Sequence, residues 1–215
     1  MEKMYKKALF PIHIHQINIR ENDILQNEVY AKIQHIQSKN QLEIPEGWTT
    51  DKLFTSFSYE DLNVEIFNDT RCVNEYYRYI QRLFDLNVKV GIDNLWFNYY
   101  VNGEWQEIHS HTGNSVFQYP ATFSCIHFLR FDSSVHTPPI FVDPYESVRN
   151  VSLEMESNRY SSRYAPNVQE GDLIMFPSYL QHFVPRGEPT PDNPRITIAF
   201  NLKVLEYGNS RRTDN

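Results

Sequence analysis

Residues 98–111 read NYYVNGEWQEIHSH, and residues 182–195 read HFVPRGEPTPDNPR, with Ile196 and Thr197 next in the chain. A strand sends successive side chains to opposite faces, so Glu107, His109 and His111 share one face. Two imidazoles at that spacing can grip one metal ion, and a third ligand must then come from elsewhere. His182 is the candidate, preceded by GDLIMFPS, a turn leading into an apolar strand. Each histidine alone has an ordinary alternative as a hydrogen-bonded core or surface imidazole, so the metal reading rests on the three together. Glu107 stands as an alternative to His111, because it lies on the same strand face. Arg195 falls one strand beyond His182, where a guanidinium can hold a carboxylate through two parallel hydrogen bonds. Thr197, two residues on and on the same face, can offer a hydroxyl to the same group.

Working outward, 215 residues with 40% hydrophobic and 14% aromatic side chains are enough for one domain with a sizeable core. The formal net charge of −7 argues against a broad phosphate-binding surface, so nucleic acid is not the expected partner. A small molecule or a peptide is. Cys72 and Cys125 cannot make a disulfide framework and form no CxxC pair, which suits a reducing cytoplasm. The first residues lack the unbroken apolar run of a signal peptide, and no stretch approaches the ~20 apolar residues of a spanning helix. The expectation is a cytoplasmic protein.

From Leu9 to Ile19 apolar and polar residues alternate, and the segment reads as a strand. It could pair with the body of the fold or with a second copy, and a homodimer would satisfy its edge. His13 and His15 make another H-x-H here, but no glycine turn or matching downstream ligand accompanies them. Asn22 or Asp23 can cap a helix running to about Ser38, with Ile24, Leu25, Val29, Ile33 and Ile36 near helical spacing. Residues 40–63 read as irregular. Asn68 or Asp69 then caps a second helix to about Leu86, with a stripe of Val73, Tyr76, Tyr77, Ile80, Leu83 and Phe84. Short strands follow: Ile92–Val101, Glu104–His109, Thr122–Phe131, Pro139–Val142, Asp172–Phe176, Gln181–Val184 and Arg195–Val204. The expectation is one α+β domain over residues 1–215. In it an N-terminal strand and helices (1–88) brace a jelly-roll core (89–205), which ends in a polar tail (206–215). His127 is either structural or pocket-lining, and residues 133–167 are the expected substrate lid.

Asn98-x-Tyr100, His109-x-His111, GDLIMFPSYLQH ending at His182, and Arg195-x-Thr197 together resemble the Fe(II)/2-oxoglutarate-dependent oxygenases. The likeness is to a branch common in bacteriophage and marine bacterial genomes, and it covers roughly residues 96–204. It implies a double-stranded β-helix, with Fe(II), 2-oxoglutarate and O2 as cofactor and co-substrates. It also implies hydroxylation of an amino acid, a peptidyl residue or a small metabolite, with succinate and CO2 as co-products. By the same likeness His109, His111 and His182 are metal ligands, and Arg195 and Thr197 hold 2-oxoglutarate. Asn98 and Tyr100 would hydrogen-bond it. A phage-encoded protein would act in the host cytoplasm.

Two positions depart from the pattern. The superfamily usually has H-x-D, and here the third position is His111, which leaves an iron site one unit more positive. The alkylation-repair branch has a further arginine six residues after Arg195, where this chain has Asn201. Two other readings stand beside the oxygenase: a cupin-like three-histidine enzyme that does not use 2-oxoglutarate, and a non-catalytic jelly roll of a binding module or virion.

Overall fold

The computed structural model describes residues 12–39, 42–50, 52–83, 88–112, 121–148 and 161–207. Along the chain the elements are β1 (His15–Asn18), α1 (Asn22–Lys39), β2 (Phe54–Thr55), α2 (Glu60–Phe67) and α3 (Cys72–Leu83). There follow β3 (Val88–Tyr100), β4 (Gln106–His109), β5 (Phe123–Arg130), β6 (Ile140–Val142), β7 (Arg163–Tyr164), β8 (Asp172–Pro177), β9 (His182–Val184) and β10 (Arg195–Tyr207). Two antiparallel sheets result, one in the order β1-β8-β5-β10-β3-β2 and the other β4-β9-β6-β7.

The two faces of the larger sheet have different tasks, and β10 shows the division most clearly. Ile196, Ile198, Phe200 and Leu202 join the core under the helices, while Arg195, Thr197, Ala199, Asn201 and Lys203 line a cavity on the other face. Strand β3 repeats the pattern, with Leu95, Phe97 and Tyr99 toward the helices and Asn94, Trp96, Asn98 and Tyr100 toward the cavity. This is period-2 patterning of a sheet covered on both sides. The pairing of β3 with β10 shifts register between Asn201 and Leu202, where Asp93 is the extra residue, so Asp93 and Asn94 both reach the cavity.

Helix α1 covers the helix-side face with Leu25, Val29, Ile33 and Ile36, all buried and spaced at about one turn. Tyr76, Tyr79 and Ile80 of α3 pack into the same cluster. A polar network crosses this layer. His127 of β5 is fully buried, with Tyr76 Oη 2.9 Å from its Nδ1 and Asn22 Oδ1 2.9 Å from its Nε2. Because Asn22 uses its Nδ2 to reach Leu129 O, its Oδ1 accepts from His127 Nε2–H. Tyr76 then donates to Nδ1. His127 is therefore a strut between α1, α3 and the sheet, and Ile126, not His127, lines the cavity. Between the two sheets, Phe128, Phe131, Phe141, Ile174, Phe176 and Leu180 form a second apolar cluster.

Most expected elements are present, with changed bounds. The N-terminal strand is His15–Asn18 and pairs with β8, while residues 9–11 lie outside the described residues. The second helix starts at Cys72, and residues 84–86 lie outside the described residues. The jelly-roll strands overrun the expected 89–205, since β3 begins at Val88 and β10 ends at Tyr207. Three elements were not expected, and one is β7, within the segment read as a lid. Strand β2 falls inside the stretch read as irregular and α2 begins there, because two- and eight-residue elements offer too few positions for a period to show. At the turn before β8, Gly171 has φ +84, and a Cβ there would meet Asn18 Nδ2 at 3.2 Å, so glycine is required for β8 to lie against β1. No helix among the described residues is long and apolar enough to cross a membrane.

Candidate metal centre

Strand β4 and β9 lie side by side in the smaller sheet with His109 opposite His182. His111 follows two residues after His109, beyond the end of β4, and its ring stacks on His109 at 5.4 Å between centroids. One ligand atom from each of His109, His111 and His182 lies within 4.8 Å of the other two. The three imidazoles predicted from the sequence therefore meet at one point.

Hydrogen bonding fixes how they face it. His109 Nδ1 is 2.7 Å from Glu107 O, and His182 Nδ1 is 3.0 Å from Leu180 O. A carbonyl oxygen only accepts, so each Nδ1 carries the hydrogen and each Nε2 keeps its lone pair. His111 Nδ1 lies 2.7 Å from Asn201 Oδ1, which gives the same tautomer. Burial adds to this. It lowers the pKa of His109, takes His111 down to about 4, and holds His182 well below 6.5, with repulsion from His109 and from His111 as a further cause for His182. All three are neutral near pH 7. Three convergent neutral nitrogens are a donor set that would hold a borderline divalent ion.

Glu107 does not belong to this group. It shares the strand face of His109, as expected, but its Oε1 accepts from Thr49 N at 3.2 Å. Its Oε2 is buried without a partner. His13 and His15 stand apart with ring centroids 6.4 Å from each other and do not join the cluster. His136 is engaged by Asp132 N and Asn193 O.

The histidines open into a cavity of about 730 Å³, within the size range of small-molecule sites. Asn98, Tyr100, Arg195 and Thr197 all line it. Arg195 is 3% exposed, and its guanidinium lies 4.3 Å from the centroid of the Tyr100 ring. Its Nε and Nη1 are buried with no hydrogen-bond partner. Orphaned donors on a buried guanidinium call for an anionic acceptor, and a carboxylate of a bound dicarboxylic acid supplies one. Tyr100 donates its hydroxyl to Gln106 Oε1 at 2.8 Å, and Asn98 Oδ1 accepts from Thr55 Oγ1 at 2.8 Å. On these observations the residues fit a metal ion and a carboxylate within one cavity.

Among the described residues, the outer wall comes from the stretch that the sequence left as irregular. Among the described residues none of 133–167 lines the cavity; residues 149–160 of that segment lie outside the described residues. Residues 163–164 instead pair with β6. The wall is built by Gly47, Trp48, Phe57 and Glu60, from the stretch read as irregular, facing Trp96 and Asp93. Trp48 and Phe57 rings lie 5.2 Å apart, Phe57 meets Trp96 edge-on at 5.1 Å, and Trp96 reaches His111 at 5.8 Å. These aromatics form a lane from the rim to the histidines. Lys203 pairs with Asp93, and both line the cavity.

Residues 94–201, half of the chain, match the family model described as "Putative 2OG-Fe(II) oxygenase". No protein of curated function matches the sequence. Among solved structures, the chain is similar to a prolyl-4-hydroxylase of Pseudomonas putida (TM-score 0.55, 10% identity, 91% of this chain and 94% of that one). It is also similar to HygX of Streptomyces hygroscopicus with nickel and 2-oxoglutarate bound (TM-score 0.55, 10% identity, 92% and 85%). A third is the prolyl hydroxylase of Trichoplax adhaerens in complex with a hypoxia-inducible-factor peptide (TM-score 0.53, 14% identity, 88% and 82%). At these identities the likeness is one of fold.

Proposed function

The chain belongs to the family of 2OG-Fe(II) oxygenases, and from that premise we propose that it hydroxylates an amino acid, a peptidyl residue or a small metabolite. The observation that carries the reading is the pairing, in one cavity, of three convergent neutral imidazoles with a buried guanidinium whose Nε and Nη1 lack partners.

His109, His111 and His182 would hold the metal through their Nε2 atoms, each kept in the required tautomer by an acceptor at Nδ1. Arg195 would take the far carboxylate of 2-oxoglutarate, with Thr197 two residues along the same face offering its hydroxyl. Asn98 and Tyr100 line the same space, and Tyr100 presents its ring to the guanidinium. Iron bound together with 2-oxoglutarate supplies the activation of O2 and the oxidation of a C–H bond, with succinate and CO2 as co-products. The substrate would enter along Trp48, Phe57 and Trp96, whose apolar faces exclude water from the metal side of the cavity.

The test is an anaerobic titration of the Fe(II)-loaded protein with 2-oxoglutarate, followed by visible absorption. A weak metal-to-ligand charge-transfer band, lost in Arg195→Met at the same 2-oxoglutarate concentration, is the expected result. A second reading draws on the histidine cluster holding no carboxylate among the described residues: a three-histidine enzyme that does not use 2-oxoglutarate. Iron binding with no band at any 2-oxoglutarate concentration would replace the first reading by the second.

A further inference from the structure

His111 differs from its two partners in what holds its Nδ1. His109 and His182 are held by backbone carbonyls of their own segments, two residues before each. His111 is held by a side chain 90 residues away, Asn201 on β10, at 2.7 Å. It also sits past the end of β4, where no ladder fixes its backbone. Something else must hold it.

The surroundings of Asn201 form a closed circuit that does so. His111 N–H donates to Ser178 O at 2.8 Å. The hydroxyls of Ser178 and Ser124 lie 2.9 Å apart, and Ser124 Oγ donates to Asn201 Oδ1 at 2.8 Å. Since the one hydroxyl hydrogen of Ser124 goes to Asn201, the hydrogen between the serines comes from Ser178. Asn201 Oδ1 thus accepts twice, from Ser124 and from His111 Nδ1. Ser124 and Ser178 are essentially inaccessible, and Asn201 is 8% exposed, so water does not compete for these bonds. The circuit clamps His111 at both backbone and ring. The rings of Trp96 at 5.8 Å and Phe176 at 6.4 Å stand against its faces and restrict its swing.

From this geometry we infer that Asn201 is the positioning residue for the third metal ligand, selecting the Nδ1–H tautomer of His111 and aiming its Nε2 at His109 and His182. The inference rests on the metal-centre reading above. Its chemical content lies in the direction of one amide. An asparagine turned the other way would donate from Nδ2 to Nδ1 of His111, and the ring hydrogen would then sit on Nε2, closing the ligand position. The two donors converging on Oδ1 oppose that arrangement. In this chain a neutral amide and a pair of serines hold an imidazole where the wider superfamily places a carboxylate. The charge of the centre is therefore set by the residue at 111, and its geometry by the residue at 201.

Three variants separate this role from simple packing. Asn201→Leu fills similar space and cannot accept. Asn201→Asp can only accept, so it preserves the tautomer while adding charge. Ser124→Ala removes one of the two donors that orient the amide. The readouts are the imidazole tautomers in the metal-free protein, from long-range ¹H–¹⁵N spectra, and Co(II) binding followed by its d–d bands. Loss of the acceptor should weaken Co(II) binding about 10- to 100-fold in Asn201→Leu, the usual cost of losing an outer hydrogen bond to a metal ligand. His111 should then populate both tautomers. Asn201→Asp should retain Nδ1–H and the parent affinity or better, and Ser124→Ala should fall between the two. If the parent binds no Co(II), the metal-centre reading fails and this inference falls with it. If the parent binds and Asn201→Leu matches it in affinity, d–d bands and tautomer, only the role of Asn201 is overturned. Should Asn201→Leu not fold, an Nε2–H tautomer in the parent, or a weakened Asn201→Asp beside an unaffected Ser124→Ala, overturns it as well.

Discussion

Replacing Arg195 by methionine should do two opposite things to the protein. Arg195 Nε and Nη1 are buried and make no hydrogen bond to another group of the protein. Each such group costs about 1–3 kcal/mol, so the pair costs roughly 2–6 kcal/mol. The guanidinium recovers part of this over the Tyr100 ring at 4.3 Å, and a desolvated contact of that kind is worth about 2 kcal/mol. An apolar side chain of similar length removes both contributions, so the empty protein should gain roughly 0–4 kcal/mol, read from urea unfolding. At about 2–4 °C per kcal/mol for a chain of this size, thermal unfolding should move up or stay level. The loaded state should respond the other way. Two charge-assisted hydrogen bonds to a carboxylate are worth roughly 3–6 kcal/mol together, which is a loss of about 10²- to 10⁴-fold in 2-oxoglutarate affinity. Calorimetric titration with 2-oxoglutarate measures that loss, and Co(II) affinity should hardly change. An empty protein destabilised by more than about 2 kcal/mol, with 2-oxoglutarate binding intact, would refute the reasoning and make Arg195 a structural residue.

Other outcomes follow from the same structure. His127 is held neutral by burial, with its pKa lowered to about 3, so unfolding takes up a proton as the pH falls from about 6.5 towards 3. Its contribution to stability is complete above the unfolded pKa and declines below it, by up to about 1.4 kcal/mol per pH unit. In His127→Gln the acid limb of the stability–pH curve should be shallower by up to one proton. Cys72 and Cys125 are buried, with the Cys72 thiol pushed up to about 11 and that of Cys125 higher than usual, so neither should react with a thiol reagent until the chain unfolds. Counting reactive thiols with and without denaturant checks this. Phe57→Ala trims the cavity wall at a partly exposed position. It should cost less than about 1 kcal/mol of stability and leave 2-oxoglutarate affinity unchanged. Substrate-coupled turnover should suffer. Ile33→Ala, on the buried stripe of α1, should cost about 2–5 kcal/mol in urea unfolding with no effect on Co(II) binding.

The sequence made the inner end of the site legible and the outer end illegible, for a physical reason. His109, His111, His182, Arg195 and Thr197 lie on or beside strands, where a period of two tells which residues share a face. Those five line one cavity, as do Asn98 and Tyr100. The outer wall comes from residues 47–60, where no period exists and each residue's place follows from tertiary packing alone. Residues 133–167 drew the expectation of a lid by their composition, and residues 149–160 of that segment lie outside the described residues. Asn201 was visible only as a missing arginine. Its contact with His111 spans 90 residues and crosses from one sheet to the other, a relation that no local pattern encodes.

The division of labour along β10 sets a limit on how this protein can change. Because core and cavity residues interleave one by one, deleting a single residue near Thr197 would turn Asn201 and Lys203 inward under the helices and push Phe200 and Leu202 out among the ligands. Folding and function would be lost in the same step, with no intermediate version that keeps either. The strand can be revised by substitution at its odd-numbered positions, but its length after Arg195 cannot drift. Variation in what the cavity accepts should therefore accumulate in the wall at residues 47–60, on either side of β2, whose register against β3 holds Phe54 and Thr55 in place.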